Sequence, residues 1–464
     1  MFIIPKHNTV SKGVRKYVQD ILLKNHCHVT QNFYLHVFLS IPDSIRNLEG
    51  WVPICHQFMR RYFRSTIENR DIAKLTSANL LQTSKYDKKG KKSRKYSIPP
   101  TILKGLLEIL FQDLTNCVPL SFREKPSKSG RLKYYDKHNN LRSDLIKHSI
   151  LKVRCKMNLE DSLLAIADKM KAASFIESQN LVNSCYTDIH NIASVMRNAN
   201  KNFGMAEYTP EYMIARTGRI CELGGVQNLS KLVKKAAYSG FEDVFNYDIR
   251  SSQITALYQE SLKIGIEASI LKDYVNNPTA KENYARQIGL IWPDGTINTG
   301  AWKKCLMSLV FGASTQKYYG TPYKELKKHD GNQVDNLFEN FLSVASPFIV
   351  TINQWYEKLP DYIELSSYNT KHGKYFRNSC GLKINLDTDE NAKDKKFMSA
   401  FILQGLESAF IHHLTVMCED NGYHVLSNEH DGLITEGEIP EDAIIRARKL
   451  SGFELAILEN KGFE

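Results

Sequence analysis

The segment YHVLSNEHDGLIT, residues 423–435, reads as a strand, a glycine-containing turn and a second strand, with Asp431 at the turn. An earlier segment, FEDVFNYD at residues 241–248, reads as a strand that ends in Asp248 and is followed by a turn into a helix. The tip of a hairpin can lie beside the end of another strand. The pattern therefore predicts that the two aspartates meet in space.

Two aspartates that meet in this way suit phosphoryl transfer. They can bridge a pair of Mg²⁺ ions about 3.5–4 Å apart, which is the spacing that in-line displacement requires. One ion would lower the pKa of an attacking 3′-hydroxyl, and the other would balance charge on the leaving pyrophosphate. Because the chain contains 50 Asp and Glu residues, the pair of aspartates by itself is a weak indication of such a site.

The segment KKCLMSLVFG, residues 303–312, has helical periodicity. Lys303, Met307 and Phe311 are four positions apart, so they share one face of the predicted helix. A lysine on that face can contact triphosphate oxygens, while the apolar side chains line the base and the sugar of a nucleotide. Without other motifs, the same stripe would indicate ordinary core packing.

These segments and two others resemble the motifs of family A DNA polymerases, whose superfamily includes the phage-type single-subunit RNA polymerases. The motifs follow the family's order over residues 208–437, about half of the chain, and the resemblance does not extend to residues 1–200. Each motif alone is weak, but five in order argue against chance. The matching segments are RTGRICELGGVQNL at 216–229 with the TGR…QN signature, 247–253 with motif A, 303–312 with motif B, FILQGLESAFI at 401–411 with the helix before motif C, and His430–Asp431 with motif C.

The resemblance implies an α+β fold of the right-hand polymerase type, with an antiparallel palm sheet that carries Asp248 and Asp431 and with helical fingers. It also suggests a division of the chain into four parts. These are a basic, mostly helical N-terminal region at 1–200 that serves as a thumb-like, template-binding part, a first palm segment at 201–259, fingers at 260–370 and a second palm segment at 371–464.

The activity that the resemblance implies is template-directed transfer of a nucleotide from a nucleoside triphosphate to a 3′-hydroxyl. The cofactor would be two Mg²⁺ ions, and the partners would be a DNA template with a primer or with nascent RNA. The first 200 residues contain no Asp-x-Glu pair, the usual opening of a proofreading exonuclease site, so we expect a DNA polymerase without proofreading. The implied site residues are Asp248, Ile249 and Asp431 for the metal ions, Lys303, Met307, Phe311 and Gln253 for the nucleotide, and Arg219, Gln227, Asn228, Gln404 and His430 for primer or template.

The choice between deoxyribose and ribose stays open. In a gapless alignment, Gln253 takes the position at which family A DNA polymerases carry glutamate and their RNA-making relatives carry glycine. A bulky glutamine favours exclusion of a 2′-hydroxyl. Met307 and the surrounding motif B are closer to the RNA-making branch, and Phe311 stands where the relatives usually carry tyrosine. A primase or a phage-type DNA-directed RNA polymerase is therefore an alternative function.

Two further departures from the family concern charge. Thr299 stands where the fingers helix of the family opens with an arginine, and Lys304, which could replace that charge, points to a different side of the helix from Lys303. Gly432 follows motif C at a position where a carboxylate or a serine is usual. The resemblance therefore provides no third acidic side chain for the metal site.

Positive charge is concentrated in the first part of the chain. Residues 1–200 contain 33 Lys and Arg against 16 Asp and Glu, whereas the remainder contains 29 against 34. Residues 85–95 hold seven basic side chains in eleven, and residues 123–142 form a second basic stretch that includes tyrosines. We expect exposed loops or arms here, which either grip a nucleic-acid backbone or are simply solvated.

Two other classes of protein fit parts of this pattern. A two-metal nuclease also needs acidic ligands, but it has no use for a lysine on a helix face such as Lys303. A basic binding protein without catalysis would explain residues 85–142 and would leave the C-terminal half unexplained.

Cysteine usage and hydropathy indicate where the protein resides. The nine cysteines contain no CxxC pair, which argues against a secreted disulfide framework and for a reducing compartment. No apolar stretch is long enough to span a bilayer. We expect a soluble intracellular protein.

Overall fold

The computed structural model describes residues 9–26, 31–48, 51–54, 69–84, 94–114, 117–119, 143–175, 179–202, 204–222 and 224–463. The basic segment 123–142 lies outside these residues, and so does 85–95 apart from Arg94 and Lys95. Helices and strands are both present, and each strand pair in the described part of the chain is antiparallel. The predicted α+β class is therefore confirmed.

The described part of residues 1–200 contains seven helices and several short strands. The helices are α1 Lys12–Lys24, α2 Gln31–Leu48, α3 Asn69–Ser77, α4 Pro100–Gln112, α5 Asp144–Lys152, α6 Leu159–Phe175 and α7 Gln179–Asn198. The strands here and just beyond are β1 Thr9–Ser11, β2 Val52–Ile54, β3 Gln82–Thr83, β4 Arg94–Ser97, β5 Cys117–Pro119, β6 Cys155–Asn158, β7 Asn200–Asn202 and β8 Met205–Tyr208. Helices dominate, as the sequence predicts, but the three small sheets β1-β5, β2-β4-β3 and β6-β8-β7 were not predicted.

The remaining elements form two groups, a sheet with its covering helices and a helical block. The helices are α8 Lys231–Ala237, α9 Ser252–Lys263, α10 Ser269–Asn276, α11 Ala280–Gln287, α12 Thr299–Val310, α13 Thr321–His329, α14 Val334–Ser366, α15 Lys395–Val416 and α16 Glu441–Ser451. The strands are β9 Tyr212–Ile214, β10 Ile220–Glu222, β11 Val244–Ile249, β12 Tyr368–Thr370, β13 Gly373–Arg377, β14 Lys383–Asn385, β15 His424–Asn428, β16 Gly432–Glu436 and β17 Leu458–Asn460.

A four-stranded antiparallel sheet has the order β15-β16-β11-β17. Along β11, Tyr247 and Ile249 are buried, whereas Asp248 between them points to the opposite face, as the two-residue period of a strand requires. Helices α9 and α16 pack against α15, whose apolar side chains are buried along most of its length. Ile434 on β16, which shares the face of Asp248, is also buried, and the Asp248 side chain itself is half-buried.

The helical block lies between β11 and β15 in the chain and consists of α10 to α14. Trp302 on α12 is fully buried, stacks on Tyr284 at 5.0 Å between ring centroids and meets Phe341 and Phe348 edge to face. This aromatic cluster buries one face of α12 against the neighbouring helices of the block. Lys303, which follows Trp302 in the chain, is exposed. None of the described helices combines the length and apolar character that crossing a bilayer requires.

Candidate active site

The structure brings Asp248 and Asp431 together. Asp248 pairs with Gly432 in the register of β11 and β16, and the Ile249 N–H donates to the Asp431 carbonyl at 2.8 Å. Asp248 is the penultimate residue of β11 and Asp431 immediately precedes β16, and both carboxylates line one cleft. The side chain of Ile249 is apolar and buried, so only its main-chain carbonyl could serve as a metal ligand.

The turn before β16 has a backbone that few residues accept. His430 adopts a left-handed conformation with φ of 73°, and the Asn428 side-chain oxygen accepts its N–H at 3.1 Å. A Cβ atom at Gly432 would lie 2.1 Å from the Tyr247 carbonyl oxygen. A side chain at this position would push β16 away from β11, so the close approach of the two strands requires glycine here.

The cleft gathers several predicted site residues from separate elements. Phe311 is not among those that line it, because it lies at the C-terminal end of α12 and is half-buried against the core. Gln404 on α15 and His430 at the turn are both half-buried and also lie outside the lining. The lining residues are Asp248, Ile249, Ser251, Ser252, Gln253, Tyr274, Lys281, Lys303, Met307 and Asp431.

The electrostatics of the cleft combine two carboxylates with nearby lysine side chains. Burial, followed by the charge of Asp431, raises the pKa of Asp248 above its ordinary value. Lys461, just after β17, opposes that rise because it forms an ion pair with the Asp248 carboxylate. Two carboxylates held this close repel each other, and a cation between them relieves the repulsion.

The donor set fits Mg²⁺ in a particular way. Within the described residues, no group of three or more His, Cys, Asp or Glu side chains is arranged to hold a metal ion. Mg²⁺ in phosphoryl-transfer sites is usually bound by one or two carboxylates together with substrate phosphates and water. Asp248 and Asp431 therefore suit ions that complete their coordination with substrate.

Lys281 was not predicted from the sequence. It stands in the first turn of α11, is half-buried and lines the cleft with Lys303 and Asp248. Burial, and then the charges of Lys303 and Lys461, lower its pKa, and Asp248 opposes this effect. No motif includes this position, and only the packing of α11 beside α12 reveals it.

Lys304 does not supply the positive charge that the resemblance leads us to expect at Thr299. Lys304 is 68% exposed and lies 3.8 Å from Glu325 on α13, away from the cleft. Thr299, at the position of the arginine, is the first residue of α12. Lys281 is the side chain that brings a second positive charge to Lys303.

Glu407 on α15 is a second residue that sequence reasoning missed. Its side chain is fully buried and accepts hydrogen bonds from Arg219, from the Ser252 hydroxyl and from the Gln253 amide. Burial raises its pKa to about 7, and Arg219 opposes that rise most strongly. Arg219, predicted to contact primer or template, thus holds a buried carboxylate while its own side chain stays 21% exposed.

The amide groups of Gln227 and Asn228 are used inside the protein. The Gln227 amide nitrogen donates to the carbonyls of Ile220 and Asn428, and its oxygen accepts from the Glu222 N–H. The Asn228 amide nitrogen donates to the Glu222 carbonyl at 2.8 Å. The Gln227 amide thus supports the hairpin that carries Asp431, and the contact of Gln227 with primer or template stays a prediction.

Glu222 lies beside Gln227 and Asn228, and it allows this buried hydrogen-bond network to be tested by measuring the stability of the fold as a function of pH. It accepts from Tyr208 at 2.8 Å and from the Gln227 N–H at 3.0 Å, and burial raises its pKa to about 8. The folded state thus holds a proton more tightly than the unfolded state. The stability that this contributes is complete below about pH 4.5 and is lost as the pH rises through about 8.

We expect Glu222→Gln to flatten this decline, because a neutral side chain has no proton to lose. At about 1.4 kcal/mol per pKa unit, the wild-type decline from this group amounts to a few kcal/mol at most. Urea unfolding at pH 5 and pH 8.5 would measure it, with the exposed Glu267→Gln as the control. An equally steep decline in Glu222→Gln would contradict the assignment.

Comparisons with known proteins give distant likenesses among solved structures. No protein-family model and no curated protein sequence matches the chain. Among solved structures, it is similar to the POL domain of Pol1 from M. smegmatis in complex with DNA primer-template and dNTP, with 13% identity and a TM-score of 0.40. The aligned part covers 64% of this chain and 55% of that one, so the chain spans little more than half of the matched structure.

Proposed function

We propose that this chain is a template-directed nucleotidyltransferase of the family A polymerase type, most simply a DNA polymerase without proofreading. The observation that carries the proposal is the pairing of Asp248 and Asp431 at the end of β11, opposite Lys303 on α12. Carboxylates on a sheet and a cation on a facing helix are what two-metal transfer of a nucleotide requires. A nuclease would have no use for that lysine.

Each part of the cleft then has a task. Mg²⁺ held by Asp248 and Asp431 would supply charge stabilisation at the 3′-hydroxyl and at the pyrophosphate. Lys303 and Lys281 bind the triphosphate from the side of the helical block. Gln253 and Met307 lie where the sugar and the base of the nucleotide would be placed between the two groups of elements.

The larger organisation follows from the same assignment. Residues 201–259 and 371–464 form the palm, residues 260–370 form the fingers, and residues 1–200 act as the basic, thumb-like part that binds template. The partners are a DNA template with a primer or nascent RNA, and nucleoside triphosphates. Arg219, Gln227, Asn228, Gln404 and His430 remain proposed contacts to primer or template.

A primase or a phage-type DNA-directed RNA polymerase is the second candidate, and Met307 in the cleft, which belongs to the motif closer to the RNA-making branch, favours it. Incorporation of dNTPs and NTPs on primed and unprimed DNA templates, with Mg²⁺ present, separates the two. Extension of a primer with dNTPs supports the DNA polymerase. Synthesis from NTPs without a primer supports the alternative, and cleavage without extension would refute both.

The two lysines provide a more local test. We expect Lys303→Met and Lys281→Met each to lower kcat/KM for the triphosphate by roughly 10- to 150-fold, the range of a lost charge-assisted hydrogen bond. Template affinity should change little. Lys304→Met is the matched control on the same helix, because Lys304 faces Glu325 instead of the cleft. Equal losses in all three variants would contradict the proposed triphosphate site.

A further inference from the structure

Glu407 is not among the residues proposed to bind metal or triphosphate. It nevertheless forms hydrogen bonds with residues from two other parts of the site. It projects from α15, is completely buried and faces Arg219 before β10 and Ser252 and Gln253 at the start of α9. A buried carboxylate is costly unless its oxygens are paired. Here both carboxylate oxygens of Glu407 are paired. One of their partners is Gln253, the residue at the sugar position of the proposed polymerase site.

The donors and acceptors around Glu407 fix the orientation of Gln253. One carboxylate oxygen accepts from the Arg219 guanidinium, with 2.7 Å to Nε, and the other accepts from the Ser252 hydroxyl and from Gln253 Nε2 at 3.2 Å. An ionised carboxylate only accepts hydrogen bonds. The opposite orientation of the Gln253 amide would set its oxygen against a carboxylate oxygen, so the amide nitrogen must face Glu407.

The consequence is that Gln253 offers its carbonyl oxygen to the cleft. Gln253 lines the cleft, is half-buried, and among the described residues its Oε1 atom accepts no hydrogen bond. A carbonyl oxygen can accept a hydrogen bond from a hydroxyl, and the 2′-hydroxyl of ribose can donate one. Deoxyribose has no such donor. An amide turned the other way would present an N–H group at this place.

We propose that Glu407 is a positioning residue that holds the Gln253 carbonyl toward the sugar of the incoming nucleotide, so that the site uses ribonucleotides as well as deoxyribonucleotides. This inference rests on the proposed nucleotidyltransferase function. Steric bulk at Gln253 disfavours the 2′-hydroxyl, while the oriented carbonyl stabilises it. The two effects oppose each other, and the result is only a modest preference for dNTPs.

The test is the ratio of kcat/KM for NTP to that for dNTP in a single templated addition at pH 8.5. This pH lies above the value of about 7 to which burial raises the pKa of Glu407, so the carboxylate is ionised. In Glu407→Gln the neighbour of Gln253 can donate as well as accept, so the amide is no longer held in one orientation. We expect the ratio to fall roughly 2- to 10-fold, the range of one neutral hydrogen bond.

Gln253→Met keeps the length of the side chain and removes its carbonyl, while Arg219 and Ser252 continue to donate to the buried Glu407 carboxylate. It should lower the ratio by a similar factor. In the Gln253→Met background, Glu407→Gln should cause no further change in the ratio, because Glu407 acts through the amide. If Glu407→Gln does not fold, Gln253→Met alone decides.

The outcomes separate this inference from the function on which it rests. A wild-type protein that adds no nucleotide refutes the proposed function. A wild-type protein that extends primers, with an unchanged ratio in both Glu407→Gln and Gln253→Met, overturns the inference alone. A Glu407→Gln variant that loses activity equally with NTP and dNTP assigns Glu407 a structural role only, and that result also overturns the inference.

Discussion

We expect that replacing Asp248 or Asp431 by alanine abolishes the proposed nucleotide addition and leaves template binding nearly intact. Each substitution removes one of the two carboxylates that face each other across β11 and β16. Several kcal/mol of charge stabilisation then disappear from the transition state, which corresponds to a loss of at least roughly 1,000-fold in rate. Affinity for template depends mainly on phosphate contacts elsewhere on the protein, and these are unchanged.

Primer extension and template binding should be measured side by side for both variants. Glu242→Ala is a suitable control, because this exposed acidic residue stands shortly before β11 and outside the cleft. The isosteric Asp248→Asn and Asp431→Asn separate loss of charge from loss of packing. Full activity in either alanine variant would refute the proposed metal site.

The second large effect concerns the sugar. Gln253 lies at the start of α9, five positions after Asp248, and lines the cleft. We expect Gln253→Gly to raise use of NTPs relative to dNTPs by roughly 10- to 200-fold, because removing a side chain that clashes with the 2′-hydroxyl contributes about 1–3 kcal/mol. The steric gain outweighs the lost carbonyl contact, which is a single neutral hydrogen bond.

Competition between dNTP and NTP for one templated addition measures this effect. Comparison with Gln253→Met is informative, because the methionine variant removes the carbonyl while retaining the bulk. The glycine and methionine variants should move the ratio in opposite directions. A ratio unchanged by Gln253→Gly would show that another residue selects the sugar, and a wild-type preference for NTPs would favour the primase or RNA polymerase.

The sequence predicts those parts of the site that depend on local pattern. The strand that ends in Asp248, the hairpin that carries Asp431 and the helix that carries Lys303 all have their own periodicity, and each is present in the structure. Their meeting in one cleft could be anticipated because β-hairpins and preceding strands pair in few ways. The exposed face of α12 likewise follows from its helical spacing.

The residues that escaped prediction depend on contacts between elements distant in the chain. Lys281 lies on a helix without any motif, and Glu407 is one acidic residue in a segment that matched the family through Gln404 instead. Gln227 was assigned to primer or template, but its amide is used by Ile220, Glu222 and Asn428. Hydrogen-bond partners of this kind have no signature in a single sequence.

The position of β11 between β16 and β17 also bears on how the molecule folds. The ion pair between Arg250 and Glu459, beside this sheet, joins residues 209 positions apart, and Lys461 reaches Asp248 over 213. Helices such as α1 form from neighbouring residues, whereas this sheet must first close a long loop, which costs chain entropy before any strand pair forms. The carboxylate pair is therefore created by contacts between residues far apart in the chain, and the helical block between β11 and β15 can fold before the strands on either side of it are joined.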